Sequence, residues 1–278
     1  MSRAVNDFKL SDEQNLAIFE GIIAPHFLGD LSPCEEPVAY FTGGQPGAGK
    51  SSLQKFIKKN YSPSAVVIEG DAFRSFHPDF DELSKTKNFA RLTAQDSAKW
   101  VERSIDYVQN NKTSVILEGT LRRPYITINT AQSFAERGFQ NQLHIMAVHG
   151  YISRYRILKR YLHAKQIHGN GRYTFLNDHN ASYNNIAKSV RSILHSNYFQ
   201  YLSIYDAYAN PRIDMLEVNL VEIDEYIDIF NQTRKLNVDH SILIDKLYAL
   251  RKTAQELHDR YATDDIRRFI HEIESTST

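Results

Sequence analysis

The sequence has a single cysteine, Cys34, among its 278 residues, and it carries no net charge. One thiol can form neither a disulfide within the chain nor a cysteine-based zinc site, which is typical of a protein from a reducing cytoplasm. The 33 lysines and arginines are balanced by 33 aspartates and glutamates. This balance argues against bulk binding to nucleic acid or to a membrane surface, so any recognition of phosphate has to be local.

Long hydrophobic runs are also absent from the sequence. No apolar stretch approaches the ~20 residues that a membrane-spanning helix needs, and the first residues lack the apolar segment of a signal peptide. Hydrophobic residues nevertheless make up 42% of the chain and charged residues 24%, which suits an ordinary globular core. We therefore expect a cytoplasmic globular protein with no membrane partner and no nucleic-acid partner.

Short β-rich segments alternate with helical patterns along most of the sequence. The β-rich segments are 38–42, 65–69, 114–117, 143–148 and 201–205. The main helical patterns are 89–108, 124–137, 151–165 and 181–195. This alternation predicts an α/β fold with a parallel sheet that is covered by helices on both faces. Because ligands of such sheets bind beyond the carboxyl ends of the strands, the residues that follow each strand are candidates for function.

Helices are also predicted near both ends of the chain. Ser11 and Gln14 have the spacing of a capping box, which predicts a helix that continues to about Ile23. After Val221 the chain is rich in charge, and leucines recur at the spacing of one helical face. These leucines are Leu243, Leu247, Leu250 and Leu257. A helical extension that packs on the rest of the protein is favoured over a helix that binds a partner.

A phosphate-binding motif follows the first predicted strand. Residues 44–51 fit the pattern G-x-x-x-x-G-K-[ST] of a P-loop. The motif and the serine that follows it are Gly44, Gln45, Pro46, Gly47, Ala48, Gly49, Lys50, Ser51 and Ser52. The glycines let backbone N–H groups converge on phosphate oxygens, Lys50 can reach the β- and γ-phosphates, and the Ser51 hydroxyl can ligate Mg²⁺. The predicted fold class is therefore a P-loop NTPase-type sheet, with ATP or GTP and Mg²⁺ as cofactors.

Carboxylates follow the second and third predicted strands. Asp71 can accept a proton from a substrate hydroxyl, order Mg²⁺ through water, or cap the helix that begins there. Glu118 can act as the acidic residue near Mg²⁺ in a P-loop protein. Thr120 and Arg122 come shortly after it, and they can hold a polar substrate that carries phosphate.

Basic side chains recur after the fourth predicted strand. Arg154, Arg156, Lys159 and Arg160 lie on a predicted helix, and Arg172 lies in the glycine-rich loop that follows. Most arginines on helices are solvated, and the sequence does not choose among these four basic residues of the helix. An arginine on a mobile loop is nevertheless what a lid needs to neutralise a phosphoryl group during transfer.

Taken together, these motifs resemble the zeta toxin family of P-loop kinases, which phosphorylate UDP-N-acetylglucosamine. The similarity extends from about residue 37 to residue 205. It depends on GGQPGAGKSSL at 43–53, GDAFRSFHPDFDEL at 70–83, VILEGT at 115–120 and MAV at 146–148. The second of these segments is much more specific to the family than the P-loop itself.

The resemblance implies a role for each matching residue. Asp71 would activate the 3′-hydroxyl of the amino sugar, and Arg160 and Arg172 would contact the phosphates together with Lys50. The residues that would line the sugar site are Glu102, Glu118, Thr120, Arg122 and Thr130. The implied function is a toxin that blocks cell-wall precursor synthesis and is restrained by a protein antitoxin. The predicted regions are an N-terminal helix and linker (1–36), a kinase core (37–220) and a C-terminal helical extension packed on the core (221–278).

Two departures from the family pattern concern the acceptor. Leu121 stands where better-known members have a small residue, and the loop between Arg160 and Arg172 is one residue shorter. A kinase of another small molecule, such as a dinucleotide, another nucleotide sugar or an antibiotic, therefore stays open. A nucleotide-dependent switch without an acceptor is the other alternative, and Asp71 together with the arginine-bearing loop argues against it.

Overall fold

A six-stranded sheet forms the centre of the protein. The computed structural model describes residues 8–29, 31–86, 88–236 and 238–276. The strands are β1 Val38–Gly43, β2 Val66–Ile68, β3 Val115–Gly119, β4 Gln140–Met146, β5 Tyr201–Tyr205 and β6 Pro211–Glu217. Their order across the sheet is β2-β3-β1-β4-β5-β6, and all pairs are parallel except β5 with β6. The predicted α/β fold with a parallel sheet is confirmed.

Helices cover both faces of this sheet. Those before β4 are α1 Asp12–Ile18, α2 Ala24–Leu28, α3 Lys50–Asn60, α4 Gly70–Phe73, α5 Phe80–Leu83, α6 Phe89–Leu92, α7 Ala94–Asn110 and α8 Pro124–Glu136. Those after β4 are α9 Gly150–His168, α10 Leu176–Leu194, α11 Ile223–Arg234, α12 His240–Glu256 and α13 Arg260–Thr276. A π-helical turn at Phe19–Ile23 joins α1 to α2, so the first helical segment continues past its predicted end. The capping box of Ser11 and Gln14 opens it as expected.

Successive side chains along each inner strand point to opposite faces of the sheet, and this divides the core into two layers. Phe41 and Leu143 face a cluster that includes Trp100 of α7 and Phe134 of α8. Tyr40, one residue from Phe41, faces the opposite side, where Leu53 and Ile57 of α3 pack. Both faces of the inner strands are therefore buried, as the period of two in a strand requires when helices cover each side.

Two features of the fold were not expected from the sequence. Strand β6 was missed because it is an exposed antiparallel edge that begins with Pro211, and so it lacks the apolar pattern of the inner strands. The single helix predicted over 89–108 is broken at Thr93, between α6 and α7. Arg74 donates hydrogen bonds to Ala90 O and to Thr93 Oγ1, at 2.7 and 2.6 Å, and this contact between distant segments fixes the break.

The two C-terminal helices pack against α9 through a separate apolar cluster. Leu243, Leu247 and Leu250 of α12 are buried there, as their spacing predicts. Ile266 and Phe269 of α13 complete the contact. Among the described residues, no helix is both long and apolar enough to cross a membrane.

Replacing Phe134 tests how far the sheet depends on its main apolar layer. Its ring is fully buried and makes edge-to-face contacts with Phe41 and Phe139, at centroid distances of 6.0 and 4.9 Å. Phe134→Ala should lower the free energy of unfolding by about 3–5 kcal/mol, as measured by chemical denaturation. Tyr125→Ala, on the same helix but at a side chain that is 57% exposed, should change it by no more than about 0.5 kcal/mol. Equal effects of the two changes would contradict this assignment of the core.

Candidate active site

The P-loop connects β1 to α3 and is held tightly against α9. Gly49 is the N-cap of α3 and has a φ of 105°. Gly47 also has a left-handed φ, of 80°, and a Cβ at this position would collide with the carbonyl oxygen of Ser153. Both positions therefore need glycine. Gly49 needs it for its backbone conformation, and Gly47 needs it both for its conformation and for lack of space.

Side chains from both segments reinforce this contact. Gln45, which is fully buried, donates to Val148 O at 2.8 Å and to Ser153 Oγ at 3.3 Å. In the opposite direction, Arg156 of α9 donates to Ala48 O at 3.0 Å. These bonds fix the loop on two sides, so its backbone N–H groups are organised before any phosphate binds.

Lys50 and Glu118 meet at the centre of the site. The Lys50 Nζ atom donates to Gly44 O at 3.1 Å and lies 3.6 Å from Glu118 Oε1. Gln54, one helical turn beyond Lys50 on α3, donates to the other oxygen of Glu118 at 2.6 Å. Burial lowers the pKa of the Lys50 ammonium, and Glu118 opposes that shift. The sequence did not single out Gln54, although its spacing of four from Lys50 places both on one face of the helix.

Asp71 lies in the first turn of α4 and is bonded to two arginines. Arg74 Nε donates to Asp71 Oδ1 at 3.0 Å, and Arg172 Nη1 forms an ion pair with Asp71 Oδ2. Burial alone would raise the pKa of Asp71, but Arg172 and Arg74 outweigh it and hold the pKa below its ordinary value. Asp71 is thus ionised at neutral pH. It does not cap the helix, because the N-cap of α4 is Glu69.

Arg160 and Glu69 belong to the same group of charges. Burial and the nearby Arg172 lower the pKa of Arg160, while Asp71 and Glu118 oppose that shift. Burial and the charges of Glu118 and Asp71 raise the pKa of Glu69. Glu69 was missed in the sequence, although it directly follows β2 and the rule that ligands bind beyond strand ends could have found it.

A small cavity adjoins this group between β3, α7 and α8. Its volume is about 140 Å³, and Glu118 and Thr130 are among its lining residues. The other walls are largely apolar, and they include Leu121, Val101 and Ile105. Leu121 has a left-handed φ of 54° and is buried, with its side chain against Gly43. The structure therefore brings two of the five predicted sugar-site residues to one cavity.

The other three predicted sugar-site residues lie outside that cavity. Glu102 is exposed, because the face of α7 that lines the cavity carries Val101 and Ile105. Thr120 is exposed at the end of β3. Arg122 forms an ion pair with Asp178 of α10 at 3.6 Å, and its side chain is 49% exposed. Their roles toward an acceptor stay predictions.

The donor set of the site suits a magnesium ion that is bound mainly through nucleotide phosphates. Ser51 lies exposed in the first turn of α3. Within the part of the chain that the structure describes, no group of three or more His, Cys, Asp or Glu side chains could hold a metal ion. Because Mg²⁺ keeps several waters and takes only one or two protein ligands in such sites, the Ser51 hydroxyl fits the role predicted for it.

Comparison with known proteins gives one family and several relatives. The family model described as Zeta toxin matches residues 28–214, about two thirds of the chain. Toxin PezT of Streptococcus pneumoniae serotype 4 is 30% identical over 174 residues, which are 62% of this chain and 69% of PezT. Toxin zeta of Enterococcus hirae is 34% identical over 116 residues, and that match covers 41% of each protein.

Solved structures share the fold at lower identity. One comes from work on the PezAT chromosomal toxin–antitoxin system of Streptococcus pneumoniae; it has a TM-score of 0.73 at 20% identity and covers 93% of this chain and 100% of its own. Another is AvrRxo1-ORF1:-ORF2 with ATP, with a TM-score of 0.52 at 14% identity, covering 93% of this chain and 83% of its own. At these identities the likeness shows the fold alone.

Gly47→Ala tests whether the close contact with α9 sets the P-loop. We expect a large loss of ATP affinity in isothermal titration, because the new Cβ would displace Ser153 or the loop. Gly138→Ala is the matched control, since Gly138 also has a left-handed φ, of 75°, but no atom within 4 Å of a Cβ. The control should keep its ATP affinity. Its free energy of unfolding should fall by about 1–2 kcal/mol, which is what a left-handed conformation costs a residue with a Cβ. Similar ATP affinities for both variants would refute the role of the contact.

Proposed function

The chain belongs to the zeta toxin family, and on that premise we propose that it is a kinase that transfers the γ-phosphate of ATP or GTP to a small molecule. One observation carries the proposal: Asp71 and Arg172 are joined beside the buried Lys50 at the mouth of the P-loop. A P-loop by itself serves many functions. A carboxylate that can accept a hydroxyl proton and a loop-borne arginine that can neutralise a transferring phosphoryl group are what favour transfer to a hydroxyl here.

Each group has a distinct role in the proposed reaction. The acceptor oxygen forms a bond to the γ-phosphorus while the bond from that phosphorus to the β–γ bridging oxygen breaks, so the nucleoside diphosphate leaves. The acceptor proton passes to Asp71, which is ionised. Lys50, Arg160 and Arg172 stabilise the negative charge on the transferring group. Ser51 would hold Mg²⁺, which supplies charge neutralisation to the phosphates when bound.

We propose the amino sugar of UDP-N-acetylglucosamine as the acceptor, phosphorylated at its 3′-hydroxyl. Glu118 and Thr130 line a cavity that Gly70, the residue before Asp71, also lines, and they can bind sugar hydroxyls. Glu102, Thr120 and Arg122 would join them on closure around the ligand. The biological role that follows is a toxin that depletes a cell-wall precursor and is held inactive by a protein antitoxin, in keeping with the family and with the relatives named Toxin PezT and Toxin zeta.

The acceptor is tested with the purified protein, ATP, Mg²⁺ and a panel of nucleotide sugars, dinucleotides and antibiotics. Mass spectrometry should show one added phosphoryl group on UDP-N-acetylglucosamine. The Lys50→Ala variant should add none and should no longer inhibit growth when expressed in cells. Phosphate on a different member of the panel would reject the proposed acceptor but keep the kinase. Hydrolysis of ATP with no phosphorylated product would favour a nucleotide-dependent switch.

Asp71→Asn separates chemistry from nucleotide binding. The substitution keeps the shape of the side chain but removes the proton acceptor, so kcat should fall by about 10²–10⁴-fold while the Kd for ATP stays unchanged. Because Arg172 and Arg74 hold the pKa of Asp71 below its ordinary value, protonation of Asp71 should not limit kcat of the wild-type protein near neutral pH. Asp106→Asn, at an exposed site on α7, is the matched control and should keep the wild-type kcat. A near wild-type kcat for Asp71→Asn would contradict its role as the base.

A further inference from the structure

The loop that carries Arg172 is fastened to the C-terminal helices. This lid loop, residues 169–175, connects α9 to α10. Gly171 packs so closely on α9 that a Cβ there would lie 2.6 Å from Tyr161 O. Directly after Arg172, Tyr173 packs within a cluster of aromatic rings. One side of the loop therefore faces the proposed chemistry, and the other faces the helical extension.

Tyr173 is the principal contact between the lid loop and α13. Its ring lies edge-on to Tyr161 and Tyr261, with centroids 4.9 and 5.0 Å away. Its hydroxyl donates to Asp265 Oδ2 at 2.5 Å. Burial and Asp265 both raise the pKa of Tyr173, so the hydroxyl keeps its proton and remains a donor. A tyrosine with a packed ring and a bonded hydroxyl has little freedom, and this restricts the neighbouring Arg172.

Asp265 connects this contact to α9. It is only 6% exposed, and its second oxygen accepts a bond from Arg154 Nη2 at 3.2 Å. Arg154 is itself buried, lies over the ring of Phe269 at 4.0 Å, and donates to Glu272 at 2.6 Å. A carboxylate as buried as Asp265 is stable only when charged or hydroxyl donors surround it, and here they come from α9 and from the lid loop.

A second carboxylate at the start of α13 strengthens the connection. Asp259 accepts bonds from Tyr161 Oη at 2.6 Å and from Lys165 Nζ at 2.5 Å, both on α9. Its other oxygen accepts the backbone N–H of Ala262 at 3.0 Å, which caps the helix. The last two turns of α9, from which the lid loop emerges, are thereby fixed to the same helix as Tyr173.

We propose that Tyr173 and Asp265 are positioning residues, and that α13 acts through them to hold Arg172 in place for phosphoryl transfer. The proposal rests on the kinase function above, and it gives a task to helices that lie outside the residues matched by the family model. A displacement of about 1 Å at a reacting group can lower a rate by ~10²-fold, so a loop arginine needs such a support. Among the described residues, Asp265 is bonded to Tyr173 and Arg154 rather than to Asp71 or the P-loop motif, and it acts through those two residues.

The test uses Tyr173→Phe, which removes one hydroxyl and keeps the ring. We expect about a tenfold fall in kcat, an unchanged Kd for ATP, and the same fall for Asp265→Asn. In an Arg172→Ala background, Tyr173→Phe should cause no further fall, because the residue acts through Arg172. Tyr226→Phe is the matched control. The Tyr226 hydroxyl also donates to a carboxylate, that of Glu222 at 2.8 Å, but Tyr226 lies on α11 and not in the lid loop. The control variant should keep the wild-type kcat.

A second measurement does not depend on kinase activity. Trypsin cleaves after arginine, so the rate of cleavage between Arg172 and Tyr173, followed by mass spectrometry, reports how firmly the loop is held. Tyr173→Phe and Asp265→Asn should raise that rate several-fold while cleavage at sites outside the lid loop stays at the wild-type rate, and Tyr226→Phe should not raise it. Unchanged cleavage, or an equal fall in kcat with and without Arg172, would overturn the proposal. A wild-type protein without kinase activity but with this cleavage pattern would reject the proposed function and keep the role of Tyr173 and Asp265 in holding the loop.

Discussion

The buried charge of Lys50 is the constraint on which the rest of the site depends. An ammonium that is 8% exposed has to be compensated, and the compensation comes from the Gly44 carbonyl and from Glu118. Glu118 is available because β1 and β3 are neighbours and pair Thr42 with Glu118. The phosphate cradle and its nearest carboxylate are therefore placed by strand order, and a shift of one residue in that register would turn Glu118 to the other face.

Helix α9 contacts both the P-loop and the C-terminal helix α13. On one side it holds the P-loop, through Ser153 and through the bond from Arg156 to Ala48. On another it carries Arg154, whose bonds reach Asp265 and Glu272 of α13. Near its end, Tyr161 and Lys165 donate to Asp259, close to the point where the lid loop begins. That loop carries Arg172, which meets Asp71 although the two residues are far apart in the chain.

Local patterns predicted the parts of the structure that depend on nearby residues. The P-loop, the inner strands and the buried leucines of α12 belong to this class, because turn geometry and periodicity decide them within short windows. The break at Thr93 was not predictable in this way, since it depends on Arg74, which is distant in sequence. The partners of Glu118 were not predictable from nearby residues either. Nor was the exposure of Glu102, because it depends on which face of α7 packs on the sheet.

The cavity lined by Glu118 and Thr130 sets a condition on the proposed acceptor. Binding sites for small molecules have volumes of about 300–1,000 Å³, whereas this cavity has about 140 Å³. This cavity alone is therefore too small for a whole nucleotide sugar, which has to extend beyond it or displace a wall residue such as Leu121. Its left-handed backbone is strained by about 1–3 kcal/mol, and its side chain fills the space that the missing Cβ of Gly43 leaves open. Relief of that strain would offset part of the cost of exposing a leucine, so Leu121, one of the two departures from the family pattern, is placed to couple acceptor binding to the shape of the site.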